Sequence, residues 1–248
     1  FDWGFLMLNE KKSLNRFLFF HRYGINNNTW RVGFTESVMG TYENWGSEEM
    51  GYIMPAAVLL ETEENRGIND GEDVNVEGTN LMWLIDGMFK WEDWTFYGEF
   101  LIDDFAVDGK SPPQIAGVVG FGRKFNKFLL NMEYSHINRW TGNYCEPFKR
   151  WIERDVPIGH SMGSDVRNFL INSYLPFNEK IAVELSFNWM EDGGGTALER
   201  LKDWPDDVPC DTNFGKNNTP PSEKNTTYYT VGTLHYLFKK NIMANLNM

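Results

Sequence analysis

The sequence predicts an all-β fold, specifically an antiparallel transmembrane β-barrel of which this chain carries about ten strands, with long external loops and a partly plugged lumen. Three observations predict it. Apolar and polar residues alternate with a period of two along several segments, so each of those strands has one greasy and one polar face. The connections between segments run alternately short and long, as they do when one end of an up-and-down barrel is trimmed to tight turns. Phe, Trp and Tyr make up 16% of the 248 residues, a composition that favours strands over helices.

Strands are expected over residues 14–23, 30–37, 80–90, 94–103, 115–125, 127–138, 165–175, 180–190, 227–238 and 242–248. The clearest alternation is in the eighth, where Ile181, Val183, Leu185, Phe187 and Trp189 interleave with Ala182, Glu184, Ser186 and Asn188. Phe96, Gly98, Phe100 and Ile102 alternate with Tyr97, Glu99, Leu101 and Asp103, and Leu130, Met132 and Tyr134 with Asn131, Glu133 and Ser135. The first strand alternates poorly. Phe17 and Phe19 share one parity while Phe20 falls beside Arg16 and Arg22, and these rings are expected to pack against something inside the barrel.

Short connections fall at 24–29, 91–93, around 126, at 176–179 and at 239–241; long ones fall at 38–79, 104–114, 139–164 and 191–226. Tyr23, Trp30, Trp91, Trp94, Tyr174 and Phe177 crowd the short-turn end, as an interfacial girdle would. In the loop 38–79, Pro55 suits the first turn of a short helix over 56–60, which would lie either in the barrel mouth as a plug or over the outer rim. The whole of 1–248 reads as one barrel domain that continues beyond both ends of the sequence. A soluble β-sandwich, with the apolar face turned inward, is the alternative architecture.

Charge and composition exclude several functions. With 23 Lys+Arg against 35 Asp+Glu the net charge is −12, which argues against nucleic acid and against an anionic lipid surface, since both reward clustered Lys and Arg. No run approaches the ~18 apolar residues of a membrane-spanning helix. His21, His136, His160 and His235 lack ligand spacing, so neither a metal site nor another cofactor is expected. Gly159-His160-Ser161-Met162-Gly163 has the spacing of a nucleophile elbow but lacks its strand–turn–helix setting, and no catalytic residue is assigned. Cys145 and Cys210 both fall in long loops, where a disulfide and two free thiols are equally compatible with the sequence. The acidic run Asp70-Gly71-Glu72-Asp73 reads as a solvated loop.

Four motifs carry a family resemblance: Gly33-Phe34-Thr35-Glu36-Ser37, Tyr97-Gly98-Glu99-Phe100-Leu101-Ile102-Asp103-Asp104, Glu133-Tyr134-Ser135, and Ile158-Gly159-His160-Ser161-Met162-Gly163-Ser164-Asp165. Their order and spacing resemble the capsule-assembly (Wzi-type) outer-membrane proteins, over residues 15–189 and the later part of that family's chain. One departure is Ser164, where the family's pattern has Pro between Gly and Asp. The resemblance implies a plugged, non-enzymatic barrel in the outer membrane of a Gram-negative bacterium. Its expected partners are extracellular polysaccharide, outer-membrane lipid and other envelope proteins. An open porin and a docking subunit of a larger envelope complex are the rival roles.

The candidate site residues are Glu36, Arg31, Glu99, Asp103 and Glu133, expected to line the lumen, together with Trp140 and Trp151 in the third long loop. Two readings stay open for them. Carboxylates in a barrel need partners, and Arg16, Arg22, Arg31 and Arg123 could form a salt-bridge network that fills the lumen. Alternatively, acids, arginines and indole rings together suit sugar hydroxyls and ring faces.

Overall fold

The structure is a computed structural model that describes residues 1–8, 15–42, 80–104, 114–143, 150–154, 156–159, 163–193, 224–239 and 242–247. The expected helix over 56–60, the acidic run at 70–73, Cys145, Cys210 and His160 to Met162 lie outside the described residues. The strands are β1 (Asp2–Met7), β2 (Asn15–Asn26), β3 (Trp30–Tyr42), β4 (Asn80–Trp91), β5 (Trp94–Asp104), β6 (Gln114–Phe125), β7 (Phe128–Ile137), β8 (Ile152–Glu153), β9 (Val156–Pro157), β10 (Val166–Pro176), β11 (Ile181–Asp192), β12 (Asn225–Lys239) and β13 (Ile242–Asn247). All but β8 and β9 form one eleven-stranded antiparallel sheet in sequence order, and β8–β9 make a small hairpin within the third long connection. The edges β1 and β13 are not paired with each other, so the sheet is not closed among the described residues.

Tight turns set the register at one end. Asn27 Oδ1 accepts from the amides of Thr29 and Trp30, each at 2.8 Å, and Asn178 Oδ1 accepts from Lys180 and Ile181 at 2.8 and 2.9 Å. This side-chain mimicry of a backbone turn is what favours Asn there. Two-residue turns join β4 to β5 and β6 to β7, with Glu92 at φ 53° and Asn126 at φ 51°. Asn tolerates that left-handed conformation well, whereas Glu92 adopts it at a cost of about 1 kcal/mol.

The register divides the sheet into two faces. One carries Val32, Phe34, Ile85, Phe89, Phe96, Phe100, Val119, Leu185 and Phe187, and it is apolar from β1 to β12. The other carries Arg22, Thr35, Asp86, Glu99, Tyr97, Glu133, Asn131, Asn188 and Glu184. Apart from the loop end of β2 and β3, where Phe17, Phe19, His21, Glu36 and Val38 are buried, the apolar face is the open one: Leu185 is 51% exposed and Val119 61%, while Asn188 on the polar face is 6% exposed. A water-soluble sandwich would reverse that arrangement.

Several expectations are corrected here. A strand over 2–7 joins the sheet ahead of the first one expected, and β3 runs five residues further, to Tyr42. Glu36 therefore sits in mid-strand, sharing parity with Val32, Phe34 and Val38, and faces the apolar side rather than the polar one. Phe17 and Phe19 also face that side, buried with Val38 and packed on Phe5. Only Phe20 joins the arginines on the polar face, opposite Gly4, where an added Cβ would strike its ring.

Gly120 performs the same service for Tyr97, whose ring crosses it to reach the next strand. We expect Gly120→Val to displace that ring and lower stability by about 1–3 kcal/mol. The check is the urea midpoint of the purified protein at unchanged slope.

Candidate functional site

The long-loop end of the polar face is covered by the described parts of the third long connection, residues 138–143, 150–154, 156–159 and 163–165, which are tied down by both charge and packing. Arg16, at the start of β2, is 1% exposed, and its guanidinium donates to the carbonyls of Arg150 at 2.6 Å and Ile152 at 2.8 Å. A register irregularity after Ile102 aims Asp103 at the same segment, where its Oδ2 accepts from the Gly142 amide at 2.6 Å. Gln114, oriented to donate, reaches Asp103 Oδ2 at 3.0 Å and the Trp140 carbonyl at 2.8 Å. Thr141 Oγ1 donates to the Ile115 carbonyl at 3.0 Å. Charge-assisted bonds of this kind contribute more than neutral ones because each ion is largely cut off from water.

Packing completes the anchor. Trp151 is buried with Leu18, Met39 and Met82, with Leu101 and Ile158 against it. The Trp151 amide donates to the Gly142 carbonyl at 3.0 Å, and the Ile158 amide to the Trp151 carbonyl at 2.8 Å, which holds β8–β9 over the sheet. Between that hairpin and strands β4 to β6 lies a cavity of about 440 Å³ lined by Leu84, Glu99, Leu101, Val118, Trp151 and Ile158. Its volume falls in the range of small-ligand sites, with an apolar wall, one indole and one carboxylate.

Toward the short-turn end the polar face becomes a ribbon of paired groups. Arg22 and Asp86 form a bidentate ion pair, with Nη2 2.8 Å from Oδ1, and Arg22 also donates to Thr35 Oγ1 at 3.3 Å. Gly33 beneath them has no side chain to obstruct the pair. The Tyr97 hydroxyl donates to Glu133 Oε2 at 2.8 Å and accepts from Asn131 Nδ2 at 3.4 Å. Farther across, Asn188 Nδ2 donates to the Tyr229 hydroxyl, and His235 Nε2 lies 3.3 Å from Glu184 Oε2.

The structure thus brings Glu99, Asp103 and Glu133 to one face with Arg31, which lies on β3 opposite Met88 near the turns. Their roles differ from the uniform lining expected of them. Asp103 is committed to the folded-in segment, Glu133 to Tyr97, and Glu99 faces the cavity. Glu36 is not among them; it is 4% exposed on the apolar face, in register with His21 and Trp83. Arg123 also faces that side, between Trp94 and Phe125, and is no counter-ion for the polar face. Trp140 is 2% exposed, too buried to present a ring to a ligand, and Trp151 serves as an anchor that offers one edge to the cavity. Asp86 was missed. Its neighbours of like parity are Met82, Leu84 and Met88, so no alternation marked it.

Neither a protein family nor a curated relative matches the chain. A solved structure does: Wzi, an outer-membrane protein involved in group 1 capsule assembly in Escherichia coli, described as a carbohydrate-binding β-barrel. The TM-score is 0.56 at 13% identity, covering 99% of this chain and 50% of that one. The chain therefore has the antiparallel sheet architecture of that barrel over about half its length.

Replacing Arg16 with Gln would leave the Arg150 and Ile152 carbonyls short of donors, at about 1–3 kcal/mol each. We expect Arg16→Gln to accelerate tryptic cleavage after Arg150 and Arg154 severalfold while cleavage in the sheet stays slow, read by mass spectrometry of the fragments.

Proposed function

We propose that this chain belongs to a non-enzymatic outer-membrane β-barrel that holds or helps assemble extracellular polysaccharide at the cell surface. The single observation that carries the reading is the inverted sheet: an open apolar face, and a polar face roofed by an anchored segment with a cavity beneath it. Hydrocarbon rewards such an exposed face, which carries Val32, Ile85, Phe89, Phe96, Phe100, Val119 and Leu185 on successive strands. Strands of 10–13 residues, such as β3, β7 and β11, are long enough to cross a bilayer when tilted. Aromatic residues at the turn end, among them Trp30, Trp91 and Phe177, are exposed as an interfacial belt requires.

Carbohydrate as the ligand is supported by the chemistry of the roofed face and by the fold shared with the capsule-assembly barrel. Glu99 supplies an acceptor for sugar hydroxyls, Trp151 and the leucines supply apolar contact, and Tyr97, two residues from Glu99 on β5, reaches across β6 to Glu133 on β7. Asp86, Glu133 and Asp103 are held by an arginine, a tyrosine and a backbone amide respectively, which suits a rigid binding surface. A folded-in segment held by Arg16 and Asp103 also obstructs free conduction along that face.

Two measurements test the reading. Purified full-length protein should bind the producing cell's surface polysaccharide in calorimetry, and Glu99→Gln with Glu133→Gln should weaken it by about tenfold. Absence of binding by the wild type removes the polysaccharide role, and ion currents in planar bilayers would replace it with a pore. For the bilayer itself, Leu185→Arg should destabilise the vesicle-inserted protein by about 2–4 kcal/mol. An unchanged stability would mean that Leu185 faces water.

A further inference from the structure

The apolar face of β6 carries a cation that has no carboxylate partner among the described residues. Its residues run Ile115, Gly117, Val119, Phe121, Arg123 and Phe125, with Arg123 two positions from the turn end. In register it faces Trp94 on β5 and Leu130 on β7. Its guanidinium carbon stands 4.5 Å from the centroid of the Trp94 ring and 4.4 Å from that of Phe125. Those rings belong to a larger cluster, with Phe96 and Phe121 against Trp94 and Phe128 against Phe125.

The rings hold the positive charge but satisfy none of its five N–H donors. Arg123 Nε is buried and without an acceptor, and among the described residues the side chain has no carboxylate partner. Glu92 and Asp93 occupy the adjoining turn, yet Asp93 meets this strand through its carbonyl, which accepts from the Lys124 amide at 3.1 Å. Lys124 and Lys127 are exposed at the same rim, so the local balance is positive although the chain as a whole is acidic. A planar fork immobilised between aromatic rings, at the level where an apolar face meets the turns, matches a phosphate in geometry and position.

We propose that Arg123, clamped between Trp94 and Phe125, is a phospholipid site: its guanidinium binds a headgroup phosphate while the acyl chains lie along the apolar face of β5 to β7. The inference rests on the bilayer-spanning reading and adds to it a defined lipid contact at the short-turn rim. The lipid's charge stays in the headgroup layer, and the rings on either side exclude competing water.

The test uses the full-length protein in non-ionic detergent, with dioleoylphosphatidylglycerol as the probe and dioleoylglycerol as its phosphate-free counterpart, both followed by native mass spectrometry. Wild type should retain the phospholipid and not the diacylglycerol. Arg123→Gln should reduce retention by about fivefold, Arg123→Lys by less, and Trp94→Leu should reproduce part of the loss with the charge intact. Equal retention by wild type and Arg123→Gln overturns the site, as does equal retention of both lipids or displacement by millimolar inorganic phosphate. Flotation of each variant with dioleoylphosphatidylcholine vesicles separates the two ideas. A protein that inserts but shows no dependence on Arg123 loses only this site, whereas one that never inserts loses the membrane reading as well.

Discussion

Everything in this molecule depends on one segregation: over most of the sheet the large apolar side chains stand on one face, while the groups that pair with one another, such as Arg22, Asp86, Tyr97 and Glu133, stand on the other. Because side chains alternate along an extended backbone, a strand can present one apolar and one polar face only by parity. With Val119 and Leu185 open on one side and Asp86 and Asn188 covered on the other, the usual inside-out logic of a water-soluble protein is reversed. The polar face then meets a problem that apolar cores never have. Each group withdrawn from water must find a partner, or it costs more than the fold can recover.

The solutions form a graded series from the turn end to the loop end. Near the turns the partners are other strands, as in Arg22–Asp86 and Tyr97–Glu133. Near the loops they are backbone groups of the folded-in segment, taken by Arg16 and Asp103. The second arrangement does more than satisfy charge. A guanidinium that holds two carbonyls beside a buried Trp151 determines where the segment lies, and so determines the cavity between it and Glu99. Buried ion pairs are weak evidence of stability, since their desolvation consumes much of what they return. Their value here is positional.

Most of the sheet was legible in the sequence because its signals are local. Turn chemistry at Asn27, Asn126 and Asn178 and the alternation around Val183 to Phe187 are properties of a few consecutive residues. What escaped reading depended on partners far away in the chain. Trp140 and Trp151 look like exposed loop aromatics until the sheet beneath them is known, and Asp86 sits in a stretch of hydrophobic neighbours where only Arg22, 64 residues earlier, explains it. Glu36 and Arg123 were misassigned for one shared reason. Charge alone points both to the polar face, and parity, the stronger constraint, sends both to the other side.

Those two exceptions are resolved by different physics, and the difference bears on how the register is fixed. Arg123 lies at a rim, where aromatic faces and water are both within reach of a long side chain. Glu36 lies in mid-strand, 4% exposed, with His21 directly opposite on β2 and Trp83 on β4. A shift of β2 against β3 by one residue would place Phe20 or Arg22 across from Glu36 and turn the Arg22–Asp86 pair away from its face. An acid and an imidazole in register on a mainly apolar stretch of these two strands therefore penalise the neighbouring alignments, while the Asn27 turn favours the observed one. The polar exception on the greasy side and the ion pair on the polar side specify the same pairing from opposite faces of the same strands.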